Sequence, residues 1–169
     1  MKVVILAGGL GTRISELTKI IPKPMIKIFG KPIIHRIVDH FYSYGFKEFY
    51  IALGYKGEII QKYFQNCKLK KGIKINCIKT GKKTMTGGRI KRLKKYLKSD
   101  FLLTYGDGLS NVNLKKLLDF HQRKKKLVTV TAVRPPARFG TIKIIRDKVK
   151  YFKEKNNLDE GWINGGFFV

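Results

Sequence analysis

Lys2-Val3-Val4-Ile5-Leu6-Ala7-Gly8-Gly9-Leu10-Gly11-Thr12-Arg13 is the stretch on which the reading of the fold turns. Val3 to Ala7 is an unbroken apolar run, and Lys2 to Ala7 reads as a buried strand. Glycines follow it at once, at Gly8, Gly9 and Gly11. They let backbone approach a ligand closely and aim N–H groups at phosphate. Arg13 stands beside this phosphate-sized nest. The loop is not the dinucleotide fingerprint, because Ile14 occupies the third glycine position, and no Gly-Lys-Ser/Thr closes it as a Walker A loop. A plain tight turn is the simpler alternative, and the attached Thr12-Arg13 weighs against it.

Outward from this loop, apolar runs alternate with helix-period segments. Pro32 to Tyr44 reads as a helix whose Ile33, Ile34, Ile37, Val38, Phe41 and Tyr44 share a face, with Gly45 as its stop. Strands are expected at Phe49–Leu53, Ile73–Ile78, Phe101–Tyr105 and Leu127–Val133, and helices at Glu58–Phe64, Arg89–Leu97 and Leu114–His121. After them the pattern turns to strands alone: Thr141–Ile145, Val149–Phe152 and Trp162–Val169. Strand-helix alternation implies a mostly parallel sheet with helices on both faces, an α/β class. Ligands of such sheets sit beyond the carboxyl ends of the strands, where the chemistry-bearing loops fall.

Two more loops stand out. Pro22-Lys23-Pro24 brackets a lysine between prolines and biases it towards extended geometry, able to set a point charge on phosphates. In a chain with 29 lysines such a neighbourhood also arises by accident. Tyr105-Gly106-Asp107-Gly108 puts a carboxylate at a strand's carboxyl end. That suits Mg²⁺, which takes one or two carboxylates plus substrate phosphates. A hairpin turn fits Asp107-Gly108 less well, because a helix is expected next. Leu109 stands where the Asp-x-Asp pattern of many glycosyltransferases has its second aspartate.

Composition bounds the rest. The 169 residues make one domain at about 150 residues each, and 43% hydrophobic with 28% charged residues excludes a disordered or low-complexity chain. The run Val3 to Ala7 is too short to cross a membrane or serve as a secretory signal, so a cytoplasmic protein is expected. Cys67 and Cys77 match no metal-ligand spacing and make a poor disulfide framework, which fits a reducing compartment. The formal charge of +26 points to polyanionic partners. Yet 29 lysines against 8 arginines, beside 20 isoleucines, look more like AT-rich codon drift than an Arg-led nucleic-acid surface. Nucleic acid is therefore not the expected partner. His35, His40 and His121 need no role in this reading, and the aromatic cluster from Phe41 to Tyr50 reads as core or subunit contact.

Together the G-G-x-G-T-R loop, the P-K-P turn and the strand-ending G-D-G resemble the sugar-1-phosphate nucleotidyltransferases. Thr80-Gly81-Lys82-Lys83-Thr84-Met85-Thr86-Gly87-Gly88-Arg89-Ile90-Lys91-Arg92 is similar to the T-G-x-x-x-M-T-G-G-R-[LI]-K-R run of the glucose-1-phosphate cytidylyltransferase branch. Gly54-Tyr55-Lys56-Gly57, Arg138-Phe139-Gly140 and Ile163-Asn164-Gly165-Gly166-Phe167-Phe168 extend the resemblance over the chain. It implies a Rossmann-like, three-layer α/β/α nucleotidyltransferase fold with a mixed, mostly parallel sheet, in one domain over residues 1–169. The implied reaction joins CTP and α-D-glucose 1-phosphate into CDP-glucose and diphosphate, with Mg²⁺ as cofactor and a homo-oligomer as the working form. By the same resemblance Leu6, Ala7, Gly8, Gly9, Leu10, Gly11 and Gly106 would hold base and phosphates. Thr12, Arg13 and Lys23 would meet the triphosphate, and Asp107 the metal. Thr84 and Arg89 would face the cytidine, and Gly140, Glu154 and Asn164 the glucose. Three departures accompany it: Glu154-Lys155-Asn156 in place of E-K-P, a shortened stretch between Phe64 and Thr80, and a chain that stops inside an expected strand. The last implies a truncated protein that lacks a second metal-binding aspartate, binds CTP weakly, self-associates and turns over slowly. A thymidylyl- or uridylyltransferase, a glycosyltransferase on a related fold, and a basic nucleic-acid-binding module are the rival readings.

Overall fold

A computed structural model describes residues 1–9, 20–135, 141–153 and 161–169. The chain forms two compact units, one of Met1–Thr129 with Gly166–Val169, the other of Val130–Gly165. The first holds the core. Its sheet centres on β1 (Lys2–Ala7), whose residues from Val3 onward are all buried, as expected of a strand covered on both faces. β1 runs parallel to β4 (Glu48–Leu53), pairing Val3 with Phe49 and Ala7 with Leu53, and β4 runs parallel to β5 (Lys74–Lys79). On its other side β1 is parallel to β6 (Phe101–Tyr105), which pairs antiparallel with Phe167 and Phe168 of β10 (Ile163–Phe168). The order β5-β4-β1-β6-β10 brings the carboxyl ends of β1, β4, β5 and β6 to one edge.

Helices cover both faces, so the expected three layers are present. One face carries α1 (Ile33–Ser43), α2 (Gly57–Asn66) and α4 (Leu114–Lys124), whose Ile37, Phe41, Ile60 and Leu114 pack on Val3, Ile5 and Ile51. Phe41 is fully buried, stacked 5.9 Å from Phe167 and edge-on to Phe49. Burying such a side chain contributes about 1.5–3 kcal/mol. The other face carries α3 (Thr86–Arg92) and its continuation, with Leu93 fully buried against Val4, Leu6 and Leu103.

Several boundaries differ from expectation. α3 starts at Thr86 rather than Arg89 and ends at Arg92, where the chain tightens into a 3₁₀ turn over Lys94–Tyr96. Gly87 and Gly88 lower helix propensity, but this first turn makes no demand for apolar periodicity, so the pattern alone starts too late. β7 (Val130–Val133) omits Leu127, which is 99% exposed. A small hairpin of β2 (Lys27–Ile28) and β3 (Lys31–Pro32) was not anticipated. Phe29 and Gly30 turn it with φ of 47° and 79°, the signature of a primed two-residue turn. Arg36 fastens it by donating to the carbonyls of Ile28 and Phe29 at 2.7 and 3.0 Å.

The second unit holds β7, the antiparallel pair β8 (Thr141–Ile145) and β9 (Lys148–Lys153), and the first residues of β10. Arg146 and Asp147 turn the β8–β9 hairpin with positive φ, and Arg134 stacks on Trp162 at 4.8 Å. Cys67 and Cys77 are both free thiols, and burial pushes Cys77 up to about 11, away from ready reactivity.

Candidate active site

The carboxyl edge of the sheet opens into a cleft of about 300 Å³. The end of β1 supplies Leu6, Ala7, Gly8 and Gly9, and the turn after residue 22 supplies Lys23 and Pro24. Thr84, Met85 and Thr86 form a second wall, with buried Arg89 in the floor against Gly8, and Tyr105 with Asp107 form a third. These groups come from the carboxyl ends of β1 and β6, the proline turn, and the start of α3 with the residues before it.

Asp107 is placed by the sheet itself. The β1–β6 pairing runs on past Tyr105, where Gly106 N–H donates to the Leu6 carbonyl at 2.9 Å, and the next residue faces the cleft. Lys23 comes from the proline turn. Pro22 is extended at φ −68° and ψ 145°, as proline neighbours favour. Lys23 itself opens a 3₁₀ turn, against the bias of the proline after it, and Met25 N–H closes that turn on the Pro22 carbonyl at 2.8 Å. The turn carries the Lys23 ammonium to 2.8 Å from Asp107 Oδ2, with each side chain about one-third exposed. A cation and an anion thus share the mouth of one cleft.

Arg89 forms the opposite extreme. It is 5% exposed, and no carboxylate among the described residues pairs with it. Its Nη1 donates to Thr80 Oγ1 at 2.7 Å, the Gly81 carbonyl at 2.9 Å and the Leu53 carbonyl at 3.2 Å. Its Nη2 donates to the Gly8 carbonyl at 2.8 Å. Burial, with Arg92 close by, pulls this guanidinium below its usual range. The guanidinium fills the space where side chains at positions 8 and 54 would stand. A Cβ on Gly8 would lie 2.1 Å from Arg89 Cζ, and one on Gly54 would lie 2.7 Å from Arg89 Nη1. These two glycines are therefore required by close approach inside the protein.

The described residues bring Leu6, Ala7, Gly8, Gly9, Lys23, Thr84, Arg89 and Asp107 to the cleft, with Gly106 directly beneath. Asn164 is exposed on β10, in the second unit. Leu10, Gly11, Thr12, Arg13, Gly140 and Glu154 lie outside the described residues. The sequence reading did not single out Pro24, Met85, Thr86 or Tyr105 as lining residues, although each sits within or beside a quoted motif. The three histidines are structural: His35 Nδ1 lies 2.6 Å from Tyr63 Oη, His40 packs on Phe41 and Tyr44, and His121 Nδ1 lies 2.8 Å from Thr129 Oγ1. No helix among the described residues is long and apolar enough to cross a membrane.

A parallel sheet with a glycine turn, a lysine and a carboxylate at its carboxyl edge is the arrangement of a nucleotide-handling transferase. The nucleotidyl transferase family matches residues 2–169, and the chain belongs to it. The glucose-1-phosphate cytidylyltransferase of Salmonella typhimurium is 44% identical over 191 aligned residues, covering all of this chain and 74% of that protein. The probable glucose-1-phosphate cytidylyltransferase of Bacillus subtilis is 44% identical over 189 residues with the same coverage. Among solved structures, HddC from Yersinia pseudotuberculosis complexed with GMP-PN superposes with a TM-score of 0.72 at 30% identity. That match covers 99% of this chain and 75% of HddC.

Proposed function

We propose that the protein transfers a cytidylyl group from CTP to α-D-glucose 1-phosphate, giving CDP-glucose and diphosphate. The observation that carries the reading is the Lys23–Asp107 pair at the mouth of a cleft floored by the β1 glycine turn. The 44% identity to glucose-1-phosphate cytidylyltransferases and the Thr80–Arg92 run support CTP and glucose 1-phosphate as the substrates.

The chemistry asks little covalent work of the protein. The sugar phosphate is already anionic at neutral pH, its second pKa being about 6, so its oxygen needs no general base. That oxygen attacks the α-phosphorus in line with departing diphosphate, and catalysis is positioning plus charge neutralisation. Gly8 and Gly9, with Leu10 and Gly11 beyond them, offer backbone to base and phosphates, next to Leu6, Ala7 and Gly106. Lys23 exchanges its carboxylate partner for phosphate oxygens, and Thr12 and Arg13 add donors on the triphosphate. Thr84 and Arg89 bound the cytidine side, and Gly140, Glu154 and Asn164 receive the glucose.

A divalent metal fits this donor set. One carboxylate at the cleft mouth suits Mg²⁺, which takes one or two carboxylates and completes its shell with substrate phosphates and water. Asp107 would hold it, and when bound the ion neutralises phosphate charge.

The test is diphosphate release with α-D-glucose 1-phosphate, Mg²⁺ and each of CTP, UTP, dTTP and GTP. A site that bonds the cytosine amino group should reject nucleotides lacking it by orders of magnitude. Equal use of dTTP would move the protein to a thymidylyl activity, and cleavage of ready-made CDP-glucose without its formation from CTP would make it a glycosyltransferase.

A further inference from the structure

Thr80 directly follows β5, is fully buried, and takes no part in lining the cleft. Its N–H and its hydroxyl both donate to the Leu53 carbonyl, at 2.8 and 2.7 Å, which fixes the hydroxyl oxygen as an acceptor for Arg89 Nη1 at 2.7 Å. Arg92 holds the same residue from the other side by donating to the Thr80 carbonyl. The guanidinium so oriented reaches Gly8 with its second nitrogen. One cation therefore joins the end of β4 to the loops after β1 and β5, and Tyr55 N–H adds a further link to the Gly8 carbonyl at 3.4 Å.

This arrangement is costly as stability alone. A buried cation with no carboxylate partner forfeits hydration that neutral carbonyls replace only in part. Removing the hydroxyl would leave a buried guanidinium N–H without its shortest partner. Yet the contact ties the two walls that a nucleotide must touch at once, the glycine turn and the Thr84–Thr86 wall.

We propose that Thr80 is a positioning residue that sets Arg89 as a brace between the glycine turn and the Thr84–Thr86 wall, so that phosphate and base recognition act as one. The proposal rests on the reading of the cleft as a nucleotide site. A ligand that touches both walls gains from the brace, and a ligand that touches only the phosphate side does not.

The measurement is calorimetric affinity for CTP and for inorganic triphosphate, in wild type, Thr80→Val and Thr80→Ser. Thr80→Val is expected to weaken CTP by up to about tenfold, because the unbraced walls must be ordered on binding, while triphosphate changes by less than about twofold. Thr80→Ser keeps the hydroxyl and should restore the CTP advantage. A valine variant with a lower Tm but an unchanged ratio of CTP to triphosphate affinity would make Thr80 merely structural and overturn the brace. Should wild type prefer another nucleoside triphosphate, the cytidine reading fails, and the same ratio taken with that nucleotide still decides the brace. If Thr80→Val does not fold, hydrogen exchange on wild type decides instead. Nucleotide should raise protection around residues 7–9 and 84–90 in step, and protection of one segment alone overturns the proposal.

Discussion

Two cations line the same cleft and are held in opposite ways. Lys23 stands at the mouth, about one-third exposed, 2.8 Å from the one carboxylate that lines the cleft among the described residues. Arg89 lies in the floor, 5% exposed, bonded to a hydroxyl and backbone carbonyls. An ammonium on a flexible stem beside water can trade partners at small cost, whereas a planar guanidinium fixed at several points cannot move without dismantling its neighbours. The mouth is thus built to exchange contacts during a reaction, and the floor to keep its shape throughout.

Substitutions separate the two regions. The largest expected effect is at the mouth: Asp107→Asn should lower Mg²⁺-dependent CDP-glucose formation by at least about 10²–10³-fold, with the circular dichroism spectrum unchanged. An unaltered rate at saturating Mg²⁺ would remove the carboxylate from the chemistry. Lys23→Ala should slow turnover by at least about 10²-fold, the scale of losing a preorganised charge donor. A loss confined to KM would mean that Lys23 only binds substrate.

Stability should respond the other way round. An exposed ion pair contributes about 0–1 kcal/mol, so Lys23→Ala should barely move Tm. Arg89→Met leaves the Gly8 and Gly81 carbonyls and the Thr80 hydroxyl short of a partner, at about 1–3 kcal/mol each where burial is complete, and should lower Tm by several degrees. Equal Tm shifts in the two variants would erase the distinction between mouth and floor.

Smaller effects sharpen it. With no nucleotide present, Lys23→Met should tighten Mn²⁺ binding by up to about fivefold, because the ammonium no longer competes for Asp107. Lys27→Met serves as the charge control and should change nothing. Smallest of all is a pH effect away from the cleft. Burial lowers His35 below its ordinary pKa, with Asp39 opposing, and burial lowers His40 as well. A depressed imidazole favours the neutral folded form, so this stability is fully present above about pH 6.5 and is lost as pH falls through the folded values. Tm should therefore fall between pH 7.5 and pH 5, and His35→Gln should flatten the slope while leaving CTP affinity at pH 7.5 unchanged.

The sequence made the frame of this picture legible but left its internal struts hidden. β1 and β6 have the limits that their apolar runs and terminal glycines announce, and the motifs carrying Lys23 and Asp107 do line the cleft, although nothing in them announces that the two side chains pair at 2.8 Å. Gly8 read as a place for phosphate to approach, and its carbonyl and missing Cβ turn out to be matched to Arg89, 81 residues away. No local pattern carries that contact. Thr80 opened a recognisable run, yet its role depends on β4 and β5 pairing in the register that sets it over Leu53. The Phe29-Gly30 turn escaped notice because an exposed phenylalanine at positive φ runs against both burial and propensity, and Arg36 compensates from a neighbouring helix.

The central claim is that Asp107 sets a metal on nucleotide phosphates inside this cleft. Phosphorus NMR of CTP with substoichiometric Mn²⁺ tests it most directly, in wild type and in Asp107→Asn. The account predicts that wild-type protein enhances relaxation of the CTP phosphates well beyond the protein-free level and that the asparagine variant returns it to that level. Equal enhancement by the two proteins would contradict the claim and place the metal elsewhere.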